Sequence, residues 1–295
     1  MIRRPPRSTL DRSSAASDVY KRQDGTQTIQ NTRLMSRIMR SAFDLDALVI
    51  QHAEDNELSK DGQVNDGIIA TKLGLQGIPD YAEKIIIERD LTLLEDFNCR
   101  YHIAQISSEK SVEIIKNRKE IVKFTTGVSI NNLSLNQNDI GDFRTFLKLS
   151  PPLRTEEDRL SLIKGINQNL IDVIVSDHKP EDEESKRLTF SQAATGASGI
   201  ETLLPLALEL FHNGSIKLSK IIECLTSNPA KILKINKGSL SVGSDADLCI
   251  VDIYKPWVVK KEKMISKSKN TCIEDKKLQG KVLSTFINGV ELFKC

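Results

Sequence analysis

Four short apolar runs, DALVIQH (46–52), CRYHIAQIS (99–107), EIVKFTTGV (120–128) and IDVIVSDH (171–178), alternate with longer stretches of helical periodicity. The helical stretches cover residues 30–43, 81–97, 108–119, 156–169, 199–213 and 218–225. Runs this short and this apolar fit strands buried on both faces of a parallel sheet, with crossover helices covering them. The repeated βα order predicts an α/β fold of the barrel kind. Three runs end in polar groups: His52, the pair His102 and Gln105, and Asp177. A (β/α)8 barrel keeps its chemistry at the carboxyl ends of its strands. Of the four histidines, only His212 sits on a predicted helix, where a surface position is expected.

After residue 235 the pattern changes to a period near two, punctuated by Gly238, Gly243, Gly280 and Gly289. A small β-rich module over residues 236–295 follows from that spacing. The charged stretch KKEKMISKSKNTCIEDKK (260–277) is expected to be a solvated loop. No stretch approaches the roughly 18 apolar residues a membrane-spanning helix needs. The net charge of +2 is concentrated at the start, where Arg3, Arg4, Arg7, Arg12, Lys21 and Arg22 face only Asp11 and Asp18. The remainder is slightly acidic, which excludes the basic field that nucleic-acid binding requires. Five cysteines without a CxxC pair argue against a disulfide framework and point to a reducing, cytoplasmic setting.

Residues 1–23, MIRRPPRSTLDRSSAASDVYKRQ, resemble translated sequencing adapter, so the native chain is expected to start near Asp24 and to lack upstream sequence. Beyond them, NPAKILKINKGSLSVGSDADLCIVD, SKSKNT and GKVLSTFINGVELF, together with QHAED, YHIAQIS, KLSPPLRTEEDR and DVIVSDHKP, resemble the cyclic amidohydrolases, most closely the dihydroorotase branch. That resemblance spans about nine-tenths of the chain. It implies a metal-dependent hydrolase barrel over residues 24–235, here without its first strands, followed by the β-rich module. The implied reaction interconverts dihydroorotate and N-carbamoyl-L-aspartate in pyrimidine biosynthesis. The implied cofactor is zinc, one or two ions, which makes hydroxide available near neutral pH and polarises the amide carbonyl.

Matched motif by motif, Asp24, His52 and Asp177 stand at metal-ligand positions, and Asp177 is also the carboxylate that shuttles the proton. Ser150, Glu181, Thr195 and Gly196 stand at substrate-binding positions. Three residues depart from the family pattern. Gln105 replaces a histidine ligand, and a neutral amide is the poorer zinc ligand. Ser150 replaces an asparagine. Glu181 replaces a histidine that meets the substrate carboxylate. The run Asp182, Glu183 and Glu184 is expected to be a solvated loop, and Arg154 to pair with Glu156 or Glu157. His102, three residues before Gln105, is expected to face away from it.

Two alternatives accompany the dihydroorotase reading. One is a non-catalytic homologue acting as a structural partner of aspartate carbamoyltransferase, to which the three departures point. The other is a hydantoinase- or allantoinase-type hydrolase. A homo-oligomer is compatible with each. A barrel without its first strands leaves strand edges unpaired, so the chain as it stands is expected to be inactive and prone to aggregate.

Overall fold

A computed structural model describes residues 27–295; the adapter-like segment 1–23 and Asp24 lie outside the described residues. The strands are β1 (Leu48–Gln51), β2 (Val64–Asn65), β3 (Gly77–Ile78), β4 (Arg100–Ile106), β5 (Thr125–Ser129), β6 (Val173–Val175), β7 (Leu248–Val258), β8 (Lys277–Ile287) and β9 (Val290–Lys294). The helices are α1 (Thr32–Asp44), α2 (Ile68–Leu73), α3 (Tyr81–Phe97), α4 (Glu109–Arg118), α5 (Ile130–Ser134), α6 (Glu156–Asn167), α7 (Glu183–Arg187), α8 (Leu203–His212), α9 (Leu218–Leu225) and α10 (Ser227–Leu233).

All four apolar runs become strands of one parallel sheet in the order β1-β4-β5-β6, with β1 and β6 at its edges among the described residues. Helices cover it as the periodicity requires. On α3, Ile86, Ile87, Leu91 and Leu94 are buried on one face. They share a core with Met35 and Met39 of α1 and with Tyr101, Ile103 and Ile106 of β4. Three of the helices, α1, α4 and α6, start where a side chain takes an orphan backbone N–H. Asn31 caps α1 and Ser108 caps α4. Thr155 and Asp158 form a reciprocal capping box at α6.

The sheet is not regular throughout. Between Ile103 and Ile106, β4 takes three steps while β5 takes two, from Thr126 to Val128. The extra residue is a bulge, a device that re-aims side chains near strand ends. Gln105 lies inside it. His102, before the bulge, is buried and its Nδ1 sits 2.8 Å from Thr125 Oγ1, so the two side chains do go to different places.

The β-rich module is an antiparallel meander, β7-β8-β9, with two strands of 11 residues. It is anchored to α8. Lys276 pairs with Glu209 at 2.7 Å, and the His212 Nε2 lies 2.9 Å from the Ile253 carbonyl oxygen. His212 is therefore a half-buried joint rather than a free surface residue.

Two further expectations are corrected. The stretch 260–277 is not a solvated loop, because Met264, Asn270, Thr271, Cys272 and Ile273 are buried within it. Charge marked its lysines, while its apolar and amide residues face inward. Asp182, Glu183 and Glu184 are solvent-exposed, as expected, but they start a short helix rather than a loop: Asp182 caps α7 by accepting from the Ser185 N–H at 2.7 Å. The helix α10, over NPAKIL, had no periodic signal long enough to register. Among the described residues, no helix is long and apolar enough to cross a membrane.

Candidate active site

Polar side chains gather where β1, β4, β5 and β6 end. His52 follows the last residue of β1, and the Thr28 hydroxyl holds its carbonyl oxygen at 2.7 Å. Its Nε2 lies 3.1 Å from Glu54 Oε2 and 3.3 Å from Ser150 Oγ, and the serine donates to the same carboxylate oxygen at 3.2 Å. Burial pushes the Glu54 carboxyl up, but hydrogen bonds from His52, Ser59 and Ser150 outweigh it and leave the group below its ordinary value. The cluster resembles a Ser-His-Glu relay in composition only. One ring nitrogen meets both partners, whereas a relay needs the nucleophile and the orienting carboxylate on opposite nitrogens.

Asp177 lies just past β6 with its backbone in the left-handed region, φ 47°. Aspartate tolerates that conformation better than most residues, yet it is uncommon and fixes where the carboxylate points. Oδ1 accepts from Gln105 Nε2 at 3.1 Å, and Oδ2 lies 3.5 Å from Ser129 Oγ at the end of β5. Burial raises the Asp177 carboxyl above its usual range; the hydrogen bond from Gln105 and the charges of His52 and Lys179 oppose that shift without cancelling it. A carboxyl raised in this way is poised to hold and release a proton.

The next residue secures the neighbouring loop. His178 Nδ1 accepts from the Gly199 N–H at 3.2 Å and the Ile200 N–H at 3.4 Å. The loop presses close: a Cβ on Gly196, whose φ is 137°, would lie 2.6 Å from the Lys179 carbonyl oxygen, and one on Gly199 would lie 2.3 Å from that of Ser176. Thr195 and Gly196 are thereby placed beside the end of β6. Gly196 donates its N–H to the Lys148 carbonyl at 2.9 Å, and the buried Lys148 ammonium donates to the Ser191 carbonyl at 2.9 Å.

Glu181 is half-buried, and its carbonyl accepts from Ser268 Oγ at 2.6 Å. Its charge is felt by the buried Lys186, whose ammonium donates to the Ala194 carbonyl at 2.7 Å. Burial brings Lys186 down to about 8, with Cys272 and Glu181 opposing the shift. Arg154 is structural, as expected, but not through Glu156 or Glu157. It is buried and donates to Ser107 Oγ, Asn65 Oδ1 and the Ile78 carbonyl, at 3.1, 2.8 and 2.7 Å.

Of the predicted positions, His52 and Ser150 thus share one cluster, Gln105 and Asp177 share a second, and Thr195 and Gly196 lie on the adjoining loop. Glu54 was missed as a site residue, although QHAED places a carboxylate two residues after the histidine. Among the described residues, no group of three His, Cys, Asp or Glu could hold a metal ion. The Gln105 amide nitrogen, a donor, faces Asp177. The described residues therefore do not by themselves fit a zinc centre.

A parallel α/β sheet with polar groups collected at its carboxyl ends is a TIM-barrel-like arrangement. Residues 16–292 match the amidohydrolase family, and the chain belongs to that family, whose members are metal-dependent. It is 41% identical over 268 residues to a dihydroorotase of Ehrlichia canis, covering 90% of this chain and 60% of the relative. It is 40% identical over 268 residues to a dihydroorotase of Anaplasma phagocytophilum, with the same coverage. The chain thus spans about six-tenths of the length of these curated relatives. Among solved structures it is similar to the L-hydantoinase (dihydropyrimidinase) of Arthrobacter aurescens, with a TM-score of 0.80, 25% identity, and coverage of 92% of this chain and 62% of that one.

Proposed function

We propose that this chain is part of a cytoplasmic dihydroorotase, catalysing reversible ring opening of dihydroorotate to N-carbamoyl-L-aspartate. The observation that carries the reading is Asp177: a carboxyl raised by burial, fixed by Gln105 and Ser129, at the strand-end position matching the family's proton shuttle. Similarity to relatives named dihydroorotase supports the choice of substrate. The hydantoinase likeness supports the fold, and nothing at the site favours a hydantoin substrate over dihydroorotate.

In ring opening, Asp177 accepts a proton from the attacking water and passes it to the departing ring nitrogen. Gln105 keeps one carboxylate oxygen directed while the other takes part. Glu54 and Ser150 fix the His52 ring, and the backbone at Thr195 and Gly196 meets the substrate ring. Zinc, one or two ions, is the cofactor this reading implies; of the positions matched to ligands, His52 and Asp177 lie among the described residues and Asp24 does not.

The test is ring closure of N-carbamoyl-aspartate by the full-length protein of which this chain is proposed to be part, assayed with and without zinc. Turnover is expected, and Asp177→Asn should lower kcat by about 10² or more. Full activity in Asp177→Asn, or no turnover in either condition, would reject the reading.

One observation favours a second reading, in which the protein is a non-catalytic partner of aspartate carbamoyltransferase. The Gln105 amide occupies Asp177 where the family pattern has a histidine ligand. A full-length protein that binds the transferase but contains no zinc and turns over no substrate would establish it.

A further inference from the structure

The stretch Ile265–Cys272 reaches from the β-rich module back to the loops around the candidate site. We infer that Asn270, within it, is a positioning residue that sets the substrate-facing loop 195–199. The inference rests on reading Thr195 and Gly196 as substrate contacts.

Asn270 is buried, 3% exposed, and uses both its backbone and its amide on this one loop. Its carbonyl accepts from the Ser198 N–H at 2.8 Å. Its Nδ2 donates to the Gly196 carbonyl at 3.4 Å, and its Oδ1 lies 3.4 Å from Ser198 Oγ. A side chain that donates and accepts at two loop residues two positions apart fixes the loop's orientation as well as its distance.

Ser268 extends the same strap. Its hydroxyl is within hydrogen-bond reach of Asn270 Oδ1 and of the Glu181 carbonyl, and its own carbonyl accepts from Ser198 Oγ at 3.1 Å. Glu201 fastens the front of the stretch, accepting from the Ile265 and Ser266 N–H groups at 3.0 and 2.9 Å. Cys272 fastens the back through its thiol on the Phe146 carbonyl at 3.2 Å. The strap therefore holds Glu181, Gly196 and Ser198 together. Positions identified as substrate-binding depend on a segment some 70 residues further along the chain.

Asn270→Asp separates positioning from folding. It keeps the shape, the backbone bond and the Oδ1 acceptor, but replaces the Nδ2 donor with a carboxylate oxygen facing the Gly196 carbonyl. Hydrogen exchange on the chain should show the amides of residues 195–199 exchanging about tenfold faster in the variant, with β4 and β5 unchanged. Ser268→Ala should move the same amides in the same direction by less. Unchanged exchange at 195–199, or acceleration spread equally through β4 and β5, would overturn the inference, whatever the activity.

Where turnover is measurable, Asn270→Asp should raise KM about tenfold and leave kcat within about threefold, the mark of lost substrate positioning. A fall in kcat at unchanged KM would count against it. Absence of turnover in the parent would reject the dihydroorotase reading alone, since the exchange measurement needs no substrate.

Discussion

At the scale of single residues, the site is governed by which groups are denied water. His102 is the clearest case, because burial brings its imidazole down to about 4, with Asp172 pulling it up and Lys119 pushing it down. The folded chain holds this ring neutral while the unfolded chain protonates it near 6.5. Between pH 6.5 and 4 the unfolded state binds more protons, so stability falls as pH falls through that window. The loss is at most about 3 kcal/mol, and urea midpoints at pH 7 and 4.5 measure it. His102→Gln should flatten the dependence. Gln105 and Asp177 give a second prediction of opposite electrostatic origin. Gln105→Glu exchanges a donor for a like charge about 3 Å from Asp177 Oδ1, so the Asp177 titration should move further up. Carboxyl resonances followed by NMR would show it, and a downward movement would mean that the two side chains do not meet.

At the scale of elements, α3 and α9 begin and end where the apolar spacing places them, and the four strand runs all enter one sheet. Periodicity reports burial on a face, and these elements are defined by burial. It is silent on contacts made by polar groups across long sequence separations. Glu54 escaped because its partner Ser150 is 96 residues away, and the β4 bulge because one inserted residue leaves composition unchanged. The stretch 260–277 was misread because its lysines dominate the count while Asn270 and Cys272 face inward. The capping box of α6, Thr155 with Asp158, also reaches further along the chain: Asp158 accepts the Glu109 N–H at 2.8 Å, tying the start of α4 to the start of α6. Thr155→Ala should therefore cost about 1 kcal/mol, a normal cap. Asp158→Ala should cost about 2 kcal/mol, since it frees N–H groups on both helices. Equal losses in urea melts would show that the inter-helix bond contributes nothing.

At the scale of the molecule, the question is whether the β-rich module unfolds with the parallel sheet or apart from it. The joint is tight at Gly280, whose φ is 102° and where a Cβ would lie 2.3 Å from Leu208 Cδ1 of α8. The Gly280 carbonyl accepts from Trp257 Nε1 at 3.0 Å, while Leu278 is buried in the same core as Leu206 and Leu210. Module and barrel thus share one apolar core, and shared cores unfold together. Trp257 is the only tryptophan, so its fluorescence reports the module, whereas far-ultraviolet circular dichroism reports mainly the helices around the sheet. The two probes should give coincident urea midpoints. Gly280→Ala should lower both midpoints together, through strain at a positive φ and crowding against Leu208, by about 1–3 kcal/mol. A fluorescence transition that moves alone would show that the module is an independent unit, and the strap at Asn270 would then be the main link by which it reaches the site.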